Sequence, residues 1–195
     1  MNLIERVKNI IVTPKTEWEV ISNESSTAQQ VIMSYIVPLA LAAAAAAFIG
    51  YGFLWSFATV GWGIYHAIVV LISTILAVLV AAFVVDALAP SFGSEKNFDR
   101  SVRLVAYSYT PSLIGALLAI YPPLSIIGSL FGLYGIYLWY LGLTPMKRTP
   151  DDKKVIYMII SVIVLIVVWA VIGLILGAIL LPIFGLNTLS RYGGI

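Results

Sequence analysis

The stretch Val155–Leu181, VIYMIISVIVLIVVWAVIGLILGAILL, decides the fold class of this chain. It contains no charged residue, and it exceeds the roughly 20 apolar residues that a helix needs to cross about 30 Å of hydrocarbon. Lipid offers the peptide backbone no hydrogen-bond partners, so a stretch of this kind folds as a helix. We therefore predict a transmembrane helix here, long enough to tilt or to protrude.

Four further apolar stretches of similar length precede it. They are Val31–Phe53, Ile64–Leu88, Arg103–Tyr121 and Leu124–Leu143. The whole chain is 61% hydrophobic and only 10% charged, whereas a soluble domain carries about 25% charged residues. The sequence thus predicts an all-α integral membrane protein, a five-transmembrane-helix bundle over residues 27–184 that is surrounded by the lipid bilayer.

The positive charges are divided unequally between the two sides of this five-span arrangement. One side receives all but one of the eleven lysine and arginine residues. These cations are Arg6, Lys8, Lys15, Lys96, Arg100, Arg103, Lys147, Arg148, Lys153 and Lys154. Because loops rich in lysine and arginine stay in the cytoplasm, we expect a cytoplasmic N-terminus. The short tail, residues 185–195 with Arg191, is then extracytoplasmic.

Residues 1–26 differ from the spans in composition. Apolar residues recur there at helical spacing, while charged residues fall on the rest of the helical wheel. The apolar set is Leu3, Ile4, Val7, Ile10 and Ile11. We interpret this region as a short amphipathic N-terminal helical segment of one or two helices on the cytoplasmic surface of the membrane. Packing under the bundle is the alternative.

Residue types suited to catalysis are scarce. His66 is the only histidine and there is no cysteine, whereas a zinc site takes three or four ligands. Asp86 is the only acidic residue inside an apolar stretch, and an aspartyl-type site needs two carboxylates. We therefore expect no catalytic residue, no metal and no cofactor. The net charge of +2 gives no reason to expect a nucleic-acid partner.

Asp86 is nevertheless the first candidate for a functional polar site. An ionisable residue within a membrane is costly and often functional. Asp86 lies within about a turn of the predicted cytoplasmic boundary, so it could also be hydrated or paired with Arg100 or Arg103. A structural ion pair or hydration is our first interpretation, and a proton or cation site is the alternative.

A group of hydroxyl-bearing residues is predicted at a depth similar to that of Asp86. Pro111 removes a backbone N–H and so favours a kink in the third span. The candidate inner-leaflet cluster comprises Asp86, Tyr107, Tyr109, Thr110, Pro111, Tyr134 and Tyr137. Aromatic packing with hydroxyls that reach the interface is the alternative to a ligand pocket.

Two small-xxx-small motifs lie in the last two spans, at Gly128–Gly132 and Gly173–Gly177. Such motifs let helices approach closely. We expect them to serve contacts within one bundle, and self-association into a homo-oligomer is the alternative.

Four short motifs stand out in the sequence, at Ala106–Pro111, Tyr121–Leu124, Tyr134–Leu143 and Pro14–Trp18. Together they resemble the Yip family of Ypt/Rab-interacting membrane proteins. Ala106–Pro111 (AYSYTP) and Tyr121–Leu124 (YPPL) are similar to the third-span signature of that family. Tyr134–Leu143 (YGIYLWYLGL), with the basic loop after it, also resembles the family. Pro14–Trp18 (PKTEW) is similar to its prokaryotic branch, which implies a prokaryotic plasma membrane.

The resemblance implies a partner-binding role. Eukaryotic members are linked to vesicle traffic, contact prenylated Rab-type GTPases and assemble with related membrane proteins. They carry a longer hydrophilic cytosolic region, whereas only about 30 residues precede the first span here. This departure weakens the expectation of a GTPase partner and leaves a membrane-protein partner or a homo-oligomer.

Three hypotheses follow for the function. The first is a non-enzymatic membrane protein that organises protein partners or lipids at the inner leaflet. The second is a small ion or solute transporter or channel that uses Asp86 and the helix break at Pro111, since discontinuous helices are common at transporter ion sites. The third is lipid handling, such as scrambling or bilayer shaping.

Overall fold

The structure, a computed structural model, describes residues 2–56 and 58–184, and the predicted tail at 185–195 lies outside them. The described residues form helices and no β-strand. In chain order the helices are α1 Leu3–Val12, α2 Pro14–Ser22, α3 Ala28–Leu54, α4 Val60–Phe92, α5 Phe98–Ser108, α6 Thr110–Ile120, α7 Pro122–Lys147 and α8 Asp151–Ile183.

Four of these helices, α3, α4, α7 and α8, are long and apolar enough to cross a membrane. The pair α5 and α6 is bent by 41°, and it passes the same test when the two helices are taken together. The described residues therefore contain four candidate spans, or five if the bent pair is one span. The sequence prediction of five is the upper of these two counts.

The bend between α5 and α6 lies where the sequence predicted a kink. α5 ends at Ser108, and Pro111 occupies the first turn of α6. Proline is compatible with the first turn because the N–H it lacks has no partner there. The bend leaves α5 and α6 with separate directions against α7.

The contacts bring α1, α2 and the two basic connections to one end of the bundle. The Ala28 backbone N–H donates to the Asp99 carboxylate at 2.7 Å, and the Glu95 N–H donates to the Lys147 carbonyl at 2.8 Å. Gly93, at φ 65°, lies beside Pro150. We call this end, with α1, α2 and residues 93–97 and 148–150, the basic end.

The N-terminal helices pack against the bundle. Ile10, Trp18 and Ile21 are fully buried. Trp18 meets the ring of Tyr107 edge-on with 6.4 Å between ring centroids, and it lies against Gly142 of α7. These contacts match packing under the bundle, which was the alternative interpretation of the amphipathic pattern.

The two glycine motifs have different surroundings. A Cβ atom built on Gly128 would lie 2.3 Å from the carbonyl oxygen of Gly115, so α6 and α7 touch through their backbones. A Cβ built on Gly173 would meet nothing within 4 Å among the described residues. The first motif therefore serves a contact within the bundle. The second faces no other described helix.

α8 is the most loosely attached of the long helices. Only 6% of the most apolar 18-residue stretch of α8 is buried, compared with 33–39% of the corresponding stretches of α3, α4 and α7. It is held through its first half, where Tyr157 and Ser161 are fully buried. The ring of Tyr157 stacks on Phe92 with 4.7 Å between centroids.

Candidate functional site

A buried ion pair joins α4 to α7 at the basic end. Lys147, the last residue of α7, places its ammonium 2.9 Å from Oδ1 of Asp86 near the end of α4. The Lys147 side chain is fully buried and that of Asp86 is 10% exposed. A buried charge without a counter-charge is very unfavourable, so the two opposite charges stabilise each other here.

Asn97, just before α5, and Ser101, in the first turn of α5, add hydrogen bonds to this pair. The Asn97 backbone N–H and the Ser101 hydroxyl donate to Asp86 at 2.7 and 3.0 Å. The Lys147 ammonium also donates to Ser101 Oγ at 2.7 Å and to the Asn97 carbonyl at 3.3 Å. Lys147 thus uses its three donors, and the four residues tie α4, α5 and α7 together.

The expected partners of Asp86 were wrong. Arg100 pairs with Glu95 at 3.2 Å, and Arg103 donates to the backbone carbonyls of Ile21 and Glu24. Lys147 was predicted to lie in the basic loop after the fourth span, but α7 extends to Lys147, whose side chain is buried in the bundle. The sequence did contain one signal for this pairing, since the predicted second and fourth spans end on the same side of the membrane.

A second ionic cluster fixes the N-terminal helices. The Arg6 guanidinium pairs with the carboxylates of Glu17 and Glu24 and lies 5.3 Å from the ring centroid of Tyr107. The Arg6 side chain is 7% exposed and that of Glu17 is 5% exposed. A guanidinium presents enough donors to satisfy two carboxylates at once.

Arg6 and Glu17 were not among the predicted site residues, although α1 offers a signal. Arg6 lies three residues after Leu3 and four before Ile10, on the same helical face as these apolar residues. A charged residue on an apolar face is buried only when it is paired. The acids of α2 were available for that pairing.

Two of the predicted polar residues, Tyr107 and Thr110, lie near this second cluster. The hydroxyls of Tyr35 and Thr110 are 2.7 Å apart in a buried contact between α3 and α6. The rings of Tyr35 and Tyr107 meet edge-on at 4.7 Å. Both tyrosines line a polar cavity of about 380 Å³ that also touches Arg6 and Glu24.

The remaining predicted residues are dispersed. Tyr134 donates from its hydroxyl to the Ile11 carbonyl at 2.7 Å, whereas Tyr137 is 44% exposed. Tyr109 lies at the break between α5 and α6 and lines a second, apolar cavity, and Pro111 follows in the first turn of α6. The structure therefore divides the predicted cluster among several surroundings and brings none of its other members to Asp86.

Both ionic clusters are internally paired and hold helices together. No group of three or more His, Cys, Asp or Glu side chains in the described ranges could hold a metal ion. His66 is stacked on Tyr51 with 3.6 Å between ring centroids and also lies against Trp62. The ring contacts place this histidine in an aromatic cluster.

The comparisons with known proteins agree with the resemblance seen in the sequence. The family model for the Yip1 domain matches residues 8–186. No curated protein and no solved structure matches the chain. The matched range includes the Asp86–Lys147 pair and all the candidate spans, and it begins two residues after Arg6 of the second ionic cluster. This chain therefore belongs to the Yip1 domain family.

Proposed function

We propose that this protein is a non-enzymatic membrane protein that organises protein partners or lipids at the inner leaflet. In this proposal the chain crosses the membrane five times, and its N-terminus and basic end lie on the cytoplasmic side, as the distribution of cations predicts. The observation that carries the proposal is the N-terminal pair of helices, which is anchored through buried charges and presents an exposed apolar and basic face.

The exposed face of α1 is made by residues that recur every four positions. Ile4 and Val12 are 79% and 67% exposed, and Lys8 lies between them. Residues at this spacing share one side of a helix. Apolar residues interleaved with a cation suit the boundary between headgroups and acyl chains, or a partner lying on it.

Burial on the opposite side of α1 gives this face a fixed orientation. Arg6 and Ile10 are buried, and the ion pairs of Arg6 with Glu17 and Glu24 bind α1 to the segment that leads into α3. A rigidly held surface binds with a smaller loss of conformational entropy than a free helix does. This arrangement favours a docking platform over a loose membrane anchor.

The transporter alternative finds less support at Asp86. A carboxylate that binds and releases a proton or cation needs access to that ion, and Asp86 is bonded by Lys147, Ser101 and Asn97. A flux assay in liposomes, with wild type against Asp86→Asn, separates the two functions. We expect no flux of protons, alkali cations or simple anions from either protein.

The organising function is tested by changing the exposed face alone. The Ile4→Gln, Val12→Gln double variant keeps every buried contact of α1. A Thr16→Gln, Glu19→Gln variant changes two exposed positions of α2 and serves as the matched control. Each protein is extracted in native lipid particles, and the proteins and lipids bound to it are identified by mass spectrometry.

We expect the α1 variant to lose protein partners or lipids that both wild type and control retain. An unchanged set of proteins and lipids in the α1 variant would contradict the proposal, provided that the particles hold equal amounts of folded protein.

A further inference from the structure

A cavity of about 220 Å³ lies within the membrane-spanning part of the molecule, between α4, the α5–α6 break, α7 and α8. Small residues of α4 and α7 leave much of this space unfilled. They are Ala77, Ala81, Gly132 and Gly135. Ile166 and Trp169 of α8 also line the cavity, and they are 64% and 49% exposed on the outside of the bundle. The cavity therefore borders the surface that lipid covers.

Two residues of the cavity wall each carry a buried polar atom that lacks a hydrogen-bond partner among the described residues. The atoms are Oγ of Ser108 and Nε1 of Trp139, whose residues are only 3% and 7% exposed. An unpaired polar group is unfavourable wherever water is excluded. The indole N–H can only donate, so it requires an acceptor. The cavity thus offers a largely apolar volume whose wall includes the residues of these two unpaired donors, beside the hydroxyl-bearing Tyr109 and Ser112.

These properties distinguish between the groups that could fill the space. A water molecule needs two to four polar partners and would leave most of the apolar wall uncovered. A hydrocarbon chain would cover the wall but leave both donors unpaired. A chain that ends in a carbonyl group does both, because one carbonyl oxygen accepts two hydrogen bonds.

The depth of the two donors agrees with such a chain. Ser101 belongs to the ionic cluster at the basic end, and Ser108 follows seven residues later on the same helix. At 1.5 Å per residue, Ser108 lies about 10 Å further into the bundle. With the ionic cluster at headgroup level, this distance reaches the margin of the hydrocarbon core.

We propose that this cavity binds one acyl chain of a membrane lipid, and that the ester carbonyl oxygen of the lipid accepts hydrogen bonds from Ser108 and Trp139. The site goes beyond the proposed function, because it would hold a lipid whatever the exposed face of α1 recruits. It is also separate from the Asp86–Lys147 pair.

Photo-crosslinking tests the proposal directly. The full chain is reconstituted in nanodiscs that contain a phosphatidylcholine with a diazirine on one acyl chain, and the labelled peptides are identified by mass spectrometry. In wild type we expect concentrated labelling on the parts of α5 and α7 that line the cavity, above that on the exposed second half of α8.

Gly132→Leu fills the cavity, since a Cβ atom at that position meets only Ser112 Oγ, at 3.5 Å. Gly173→Leu is the matched control, because its Cβ meets nothing within 4 Å in the described part of the chain. We expect cavity labelling to be lost in the first variant and retained in the second. Ser108→Ala and Trp139→Phe should each weaken it roughly fivefold, which corresponds to one lost hydrogen bond of about 1 kcal/mol.

The proposal is overturned if wild type shows no excess labelling at the cavity, as a cavity that holds only water would give. Equal labelling in Gly132→Leu and Gly173→Leu would overturn it too. If Gly132→Leu does not fold, Ser108→Ala and Trp139→Phe decide, and unchanged labelling in both rejects the site. None of these results bears on partner recovery by the face of α1.

Discussion

The ammonium of Lys147 and the carboxylate of Asp86 lie 2.9 Å apart in a position where the lysine side chain has no exposed surface. Lys147 ends α7 and Asp86 lies near the end of α4, and 61 positions separate the two residues in the sequence. Their contact is therefore a product of the tertiary fold. At the basic end, the packing of α4, α5 and α7 therefore depends on this one pair of charges.

Removing one charge of this pair should destabilise the protein strongly. Lys147→Met leaves the Asp86 carboxylate buried without its counter-charge, and breaking a buried pair in this way costs about 3–5 kcal/mol. We expect a loss of that order in the free energy of unfolding, measured by denaturant titration in mixed micelles.

The matched control is Arg148→Met, because the Arg148 side chain next to Lys147 is 74% exposed. We expect it to change stability by less than about 1 kcal/mol, as surface ion pairs do. The double variant Asp86→Asn, Lys147→Met should be more stable than Lys147→Met alone. Equal effects of Lys147→Met and Arg148→Met would show that the pair is not structurally important.

The anchor of the N-terminal helices can be tested at Glu17. Glu17→Gln removes one of the two carboxylates that hold Arg6, and a hydrogen bond to a charged group contributes about 1.5–3 kcal/mol. Amide hydrogen exchange over residues 3–22 should then accelerate at least roughly tenfold, since local opening becomes easier. Glu19→Gln, two positions further on the exposed side of α2, should leave exchange unchanged. Equal exchange in both variants would contradict the anchor.

Much of the fold could be predicted because it depends on local properties of the sequence. Each apolar stretch is helical, the third as the bent pair α5 and α6, since a backbone in lipid has no other way to satisfy its hydrogen bonds. Pro111 indicated the break between α5 and α6, because a proline disrupts the hydrogen bonding of the helix in which it lies. The basic loops were placed together by the charge pattern, and the contacts bring them to one end.

The polar contacts could not be predicted, because they depend on how helices meet. Arg100, Arg103 and Lys147 were all predicted near the membrane depth of Asp86. Lys147 is its partner because α7 extends as far as this residue. Similarly, an amphipathic helix has the same pattern whether its apolar face meets lipid or protein. The helical pattern does not reveal the contact of Trp18 with Gly142, a residue over 100 positions away.

Because α6 and α7 approach closely at Gly128, we expect even an added methyl group there to lower the stability of the protein. In Gly128→Ala the new methyl group would lie 2.3 Å from the Gly115 carbonyl oxygen, so the helices must separate. Overpacking of this kind costs about 1–3 kcal/mol. Gly173→Ala meets nothing among the described residues, and alanine is the better helix former by up to about 1 kcal/mol.

Thermal unfolding of both variants in the same nanodiscs makes this comparison. We expect a lowered melting temperature for Gly128→Ala and an unchanged or slightly raised one for Gly173→Ala. A loss of stability in Gly173→Ala would instead indicate that this glycine faces a second copy of the chain.

The orientation of the bundle can be measured cleanly because the chain contains no cysteine. Thr16 is exposed on α2 at the basic end, and Ser56 is exposed in the turn between α3 and α4. With the basic end in the cytoplasm, a membrane-impermeant maleimide should label Ser56→Cys in intact cells and should label Thr16→Cys only after the membrane is opened. The reverse pattern would place the basic end outside. Labelling of both positions in intact cells would mean that α3 does not cross the membrane, and the five-span arrangement would then be wrong.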